Sequence, residues 1–313
     1  LAALGSPVAR GDLAAFRARA VAPLAATIRA GTLYNMPPPT QGLASLLILA
    51  QFDRLACPAS DGFDYVHLLV EATKQAFRVR DRHVADPAFM DVDPATLLAP
   101  ERVAAMAGAI DPARAAGWAR GEDKGDTIWM GAIDGEGNAV SFIQSVYWEF
   151  GSAIVLPRTG IIWQNRGASF SLDPAARNPL VPGRQPFHTL NPALARLADG
   201  RTMVYGTMGG EGQPQTQAAV FTRHVRFGQG LQEAVTAPRW LLGRTWGSDS
   251  TTLKIEPRFA PGVIEALAAA GHDVEITAPF SETLGHAGAL MRRPGGVIEG
   301  ASDPRSDGRA AGY

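Results

Sequence analysis

Between residues 117 and 147 the chain changes character abruptly, and this change limits the fold more than any other feature. GWARGEDKGD, residues 117 to 126, is charged, glycine-rich and without apolar periodicity, which predicts an exposed loop. IWMGAID, GEG and NAVSFIQSV follow at once and read as two antiparallel strands joined by a glycine-rich turn. Thr127 opens the first strand. If the Asp126–Thr127 peptide is cut, a hydroxyl and a new α-amine sit on one residue. The amine, with an ordinary pKa of about 8, can take the proton as the hydroxyl attacks a carbonyl. A threonine that opens a strand is more often structural, and pattern alone leaves both readings open.

Around this boundary the elements alternate. A mixed apolar and arginine block predicts a helix from Asp12 to Ile28, and the prolines of YNMPPPTQG, residues 34 to 42, predict an extended path. Leu43 to Phe52 is apolar on almost every side and reads as a buried helix, with a buried strand as the competing assignment. Residues 63 to 80 repeat apolar side chains at helical spacing, and Asp86-Pro87 stops that helix. Short helices are expected at Pro94 to Leu98, at Glu101 to Ile110, from Pro214 onward and at residues 262 to 270. Further strands are expected at Gly160 to Trp163, Thr202 to Thr207 and Val274 to Ile276. The composite is α/β with largely antiparallel strands.

Composition removes several function classes. A net charge of -1 gives no reason to expect nucleic acid or an acidic membrane as partner. No apolar run approaches a membrane span, and the opening residues lack an export signal, which leaves the compartment undetermined. Cys57 is the sole cysteine, so no intrachain disulfide can form. The six histidines, at 67, 83, 188, 224, 272 and 286, show no zinc spacing. No dinucleotide fingerprint or P-loop is present, so no cofactor or metal is implied.

DTIWMGAIDGEGNAV resembles the segment that opens the small subunit of the gamma-glutamyltranspeptidase family. The resemblance continues through EFGSAIVLP, TGIIWQN, PGRQPFHTLNPAL, TMGG, EAVTAPR, LGHAGA and ASDPRSDGRAAGY. Upstream, YNMPPPTQG, EATKQAF and RDRHVADPAF resemble the end of the family's large subunit. The resemblance implies an Ntn-hydrolase fold, a four-layer αββα sandwich. Residues 1–126 would be the last part of a large subunit, and residues 127–313 the small subunit carrying the nucleophile. Members have a longer segment before the nucleophile, so a partial chain is the expectation. The paired segments of one precursor, a small amide substrate and water are the implied partners, and a higher oligomer stays open.

By the same resemblance, cleavage falls between Asp126 and Thr127, Thr127 is the nucleophile, and Ser145 matches a threonine that hydrogen-bonds it. Gly209 and Gly210 match the glycine pair of the oxyanion hole, and Asn165 matches the asparagine of the substrate loop. The chain departs from the transpeptidases where they grip substrate. Trp129 stands where a histidine follows the nucleophile, Tyr147 for an asparagine, Arg166 for a glutamine and Ser169 for the aspartate that binds the glutamyl ammonium. His188 and Thr189 replace a serine pair. Without the aspartate, an α-ammonium buried there would lack its counter-charge, while Arg166 suits a carboxylate. The expectation is an autoprocessed amidohydrolase not specific for gamma-glutamyl groups. Gamma-glutamyl transfer or glutathione hydrolysis, and a non-maturing scaffold, remain as alternatives.

Overall fold

The computed structural model describes residues 1–118, 126–243 and 250–313. Helix α1 (Arg10–Ala15) precedes strands β1 (Leu24–Ile28) and β2 (Gly31–Asn35). Helices α2 (Gly42–Phe52), α3 (Phe63–His83) and α4 (Pro100–Gly108) follow, then strands β3 (Asp126–Ile133) and β4 (Ala139–Tyr147). Strands β5 (Ala193–Leu197) and β6 (Thr202–Thr207) lead into helices α5 (Gln213–Phe221) and α6 (Leu231–Thr236). The chain continues through β7 (Trp240–Leu242), β8 (Leu253–Ile255), α7 (Val263–Ala269) and β9 (Val274–Ile276), and closes with β10 (Ala287–Arg292) and β11 (Ile298–Ser302).

The main sheet is antiparallel, in the order β1-β2-β5-β6-β10-β11. Strand β6 shows how its two faces are used. Met203 and Tyr205 point into the core shared with Phe221 of α5. Val204 and Gly206, one residue out of phase, face the β3–β4 hairpin. Helices, sheet and hairpin are thus three successive layers of the expected α/β sandwich. The hairpin's outer face carries Ile128, Met130, Val140 and Phe142, which are 55%, 46%, 52% and 45% exposed.

The longest apolar run behaves as expected. Every residue of α2 is buried, because the helix lies between β1, α3 and α5. At its start, a Cβ on Gly42 would stand 2.2 Å from the Met36 carbonyl oxygen, so only glycine lets the proline segment turn into the helix. The amphipathic α3 packs beside α2 and ends before Asp86, whose carboxylate caps the turn that Pro87 begins.

Two expectations are corrected. The helix from Asp12 to Ile28 does not form: α1 stops at Ala15, and Leu24–Ile28 is strand β1. Pro23 cannot continue a helix, and beyond it Leu24 and Ala26 are buried at the two-residue spacing of a strand paired with β2. Gly160 to Trp163 is not a strand either. Among the described residues its one ladder contact is the isolated bridge Val155↔Ile162, inside a local loop closed by Leu156 N–H to Ile161 O and Trp163 N–H to Ile154 O, each 2.8 Å. Ile161 and Ile162 are exposed there, so this apolar run has no sheet to join. Of the expected loop at residues 117 to 126, residues 119 to 125 lie outside the described residues.

Candidate active site

Thr127 is buried, 8% exposed, at the start of β3. The β3–β4 register shifts around it: Asp126 pairs with Tyr147 and Ile128 with Gln144, so Thr127 faces Ser145 and Val146 across a bulge. Bulges re-aim side chains at the ends of ladders. The Ser145 hydroxyl accepts from Tyr147 N–H at 2.8 Å. Tyr147 itself takes φ 82°, a left-handed conformation that costs a non-glycine residue about 1–3 kcal/mol and persists where the surroundings hold it.

Trp129 fixes the hairpin on the main sheet. Its indole fills a slot floored by glycines: an added Cβ would stand 2.1 Å from the ring on Gly206, 2.5 Å on Gly288 and 2.7 Å on Gly131. Its Nε1–H donates to Ser141 Oγ at 2.9 Å. The sheet therefore takes up much of the ring, and the rest lines a cavity of about 470 Å³ shared with Thr127, Met208 and His286. Trp148, the other tryptophan of this segment, is 41% exposed.

Several of the residues expected to bind substrate gather around Tyr147. The Arg166 guanidinium, on a side chain 2% exposed, lies 3.7 Å from the centre of the Tyr147 ring and donates to Thr189 Oγ1 at 3.0 Å. His188 is next to it. Burial and the Arg166 charge push its imidazole down to about 3, so it is neutral at ordinary pH. Its Nδ1 is buried with no partner among the described residues. Ser169 Oγ donates to the carbonyls of Arg166 and Phe187, which ties the loop together. Asn165 also braces: its Oδ1 accepts from Trp148 N–H at 3.1 Å and its N–H donates to Val146 O at 3.1 Å.

Gly209 and Gly210 follow β6 with φ 112° and 52°, conformations that suit glycine and leave the turn's backbone bare. Gly212 N–H donates to Gly209 O at 2.8 Å, which sets the plane of the Gly209–Gly210 peptide. Glu211 turns away from solvent toward Arg80, Oε1 to Nη2 at 3.2 Å. Behind the adjoining Gly285–Ala287 segment, Asp303 binds Arg239, Arg305 and Ala287 N–H, and Arg305 also grips Glu256. Arg239 of EAVTAPR and Asp303 and Arg305 of ASDPRSDGR thus join Glu256 in one buried ion-pair cluster. The Arg305 and Arg239 charges hold the Asp303 carboxyl below its ordinary range despite burial.

One buried cluster escapes any reading of local spacing. His67, Glu71 and His272 bring three potential metal-ligating atoms within 4.8 Å of one another. His67 Nδ1 and His272 Nε2 hydrogen-bond each other at 2.8 Å, and His67 Nε2 meets Asp111 O at 2.8 Å. Lys74 Nζ lies 2.6 Å from Glu71 Oε1, so an ammonium already supplies the positive charge that a metal would bring.

A hairpin opened by a buried threonine, packed on an antiparallel sheet that helices back, fits the Ntn-hydrolase sandwich. The chain belongs to the gamma-glutamyltranspeptidase family, whose model matches residues 1–313. It is 59% identical over 313 residues to the oxamate amidohydrolase proenzyme of Klebsiella pneumoniae, covering 100% of this chain and 59% of that protein. It is 40% identical over 311 residues to the glutathione hydrolase-like YwrD proenzyme of Bacillus subtilis, covering 98% and 59%. The crystal structure of cephalosporin acylase from Bacillus halodurans superposes with a TM-score of 0.87 at 31% identity, over 100% of this chain and 56% of that one. The chain thus spans about three fifths of the curated relatives it matches.

Proposed function

We propose that this chain is the nucleophile-bearing part of an autoprocessed amidohydrolase whose substrate has a small anionic acyl group, such as oxamate. The observation that carries the reading is the polar corner around Tyr147. A buried guanidinium, the Thr189 hydroxyl and a neutral imidazole whose Nδ1 has no partner among the described residues meet there. Such a corner suits a carboxylate, and the sequence resemblance matches its residues to those that grip the glutamyl group in the transpeptidases. The identity to the Klebsiella protein named for oxamate supports the same substrate class.

In this reading, cleavage of the precursor at Asp126–Thr127 separates residues 1–126, the end of the large segment, from residues 127–313. The Thr127 hydroxyl attacks the amide carbon, and its proton passes to the new α-amine. Gly209 and Gly210 N–H groups receive the developing oxyanion, for which each donor contributes about 3 kcal/mol. The C–N bond breaks as the proton moves to nitrogen, and ammonia leaves an acyl ester on Thr127. Water then attacks the ester, releases the carboxylate and restores the threonine.

The test is a substrate panel on the full-length, matured enzyme: oxamate, glutathione, gamma-glutamyl anilide and glutaryl anilide. Oxamate hydrolysis with little turnover of the gamma-glutamyl compounds is expected. A strong preference for gamma-glutamyl anilide would overturn the assignment.

A further inference from the structure

We propose that Gln41 is a positioning residue, which clamps the acyl-recognition corner to the oxyanion turn. The inference rests on the functional reading above and adds to it a residue outside both loops. Gln41 is fully buried at the junction of the proline segment and α2. Its Nε2 donates to Thr189 O at 2.8 Å and to Gly210 O at 2.7 Å. Its Oε1 accepts from Arg80 Nη1 at 3.1 Å. One carboxamide therefore holds two carbonyls, one on each loop that the proposed reaction needs.

The Gly209–Gly210 turn needs an external brace. Two successive glycines with positive φ carry no side chains to pack, so their own conformational preference does not hold the turn. Gly212 N–H steadies one peptide plane, and Gln41 steadies the next through Gly210 O. Arg80 completes the frame. It is 2% exposed, stacks 4.0 Å from the Phe77 ring, and reaches Gln41 with one nitrogen and Glu211 with another. The side chain after the turn and the amide that holds the turn are thus both fixed from α3. Oxyanion donors work by being aimed before charge develops. Loosening this frame should therefore affect the transition state more than substrate binding, which keeps the Arg166–Thr189 contact.

A merely structural role is separated by a matched control. Gln51 is also fully buried and also donates to two backbone carbonyls, Leu47 O and Ala72 O, within the helical layer. Gln41→Met and Gln51→Met each remove two buried carbonyl bonds in the full-length enzyme, and Gln41→Met also loses the bond from Arg80. Both should lose Tm, Gln41→Met the more. Only Gln41→Met should lose kcat, by about 30-fold or more with KM within about threefold, as for lost oxyanion donors. Arg80→Lys, which keeps the charge but not the two-pronged reach, should give a smaller fall in kcat. Should Gln41→Met fail to mature, Arg80→Lys decides alone. Wild-type kcat in either Gln41→Met or Arg80→Lys, or an equal loss in Gln51→Met, overturns the positioning role. A wild-type enzyme that turns over no amide overturns the functional reading and this inference with it.

Discussion

The guanidinium of Arg166 lies 3.7 Å from the centre of the Tyr147 ring, and this pairing joins the β3–β4 hairpin to the segment that follows Asn165. Tyr147 ends β4 opposite Asp126, while Arg166 reaches across to Thr189. If the corner they form binds a carboxylate, Arg166→Met should lower kcat/KM for oxamate about 10- to 100-fold, the value of a charge-assisted hydrogen bond of about 1.5–3 kcal/mol. Arg166→Lys should restore little, because an ammonium neither stacks flat on the ring nor reaches Thr189 with the same fork. Steady-state kinetics on oxamate checks both.

Maturation is read directly by mass. The full-length precursor should yield a fragment beginning TIWMGAID, and Thr127→Ala should yield neither fragment nor turnover. Thr127→Ser keeps a hydroxyl and should still cut. An uncut wild-type chain that hydrolyses amides would end the N-terminal-nucleophile reading.

The glycine slot predicts a stability effect. A Cβ at Gly206 would stand 2.1 Å from Trp129 Cδ1, so Gly206→Ala must displace the indole. Overpacking of this kind costs about 1–3 kcal/mol. Thermal unfolding should show a lower Tm for Gly206→Ala, and partial recovery when Trp129→Leu is added. Additive losses in the double variant would contradict the contact.

His188 sets a pH window. Its imidazole is held down to about 3, first by burial and then by Arg166, against an ordinary value of 6.5. The unfolded chain therefore binds a proton below pH 6.5 that the folded chain refuses until about pH 3. The stability that depends on neutral His188 is complete above pH 6.5 and is lost as pH falls toward 3. Between pH 7 and 4.5, the urea midpoint of the wild type should drop further than that of His188→Gln. Parallel drops would show that His188 does not contribute.

How much of this was legible depended on how local the cause is. The all-apolar run of α2, the helical spacing in α3 and the hairpin that Thr127 opens are each written within a few turns of chain, and each was read correctly. Strand β1 was misread because the local signal of Pro23 was passed over and its pairing with β2 lies outside its own residues. The site residues came from matched motifs, and no periodicity would have found Arg166 or Thr189. Gln41 was invisible for a further reason: the carbonyls it binds belong to residues 148 and 169 positions away, and a backbone carbonyl has no sequence signature. His67 and His272, 205 positions apart, met unseen in the same way.

The tryptophan wedged among the glycines also bears on what cleavage would do to the chain. Cutting at Asp126–Thr127 turns the reactive threonine into a terminus, and new termini fray unless tied down. Trp129 is two residues inward, locked between Gly206 and Gly288 on two neighbouring strands and pinned to Ser141 by its ring nitrogen. It fastens the strand two residues inside the new end, where Ile128 is also paired with Gln144. The hydroxyl and amine would then keep their address after the covalent bond that delivered them is gone.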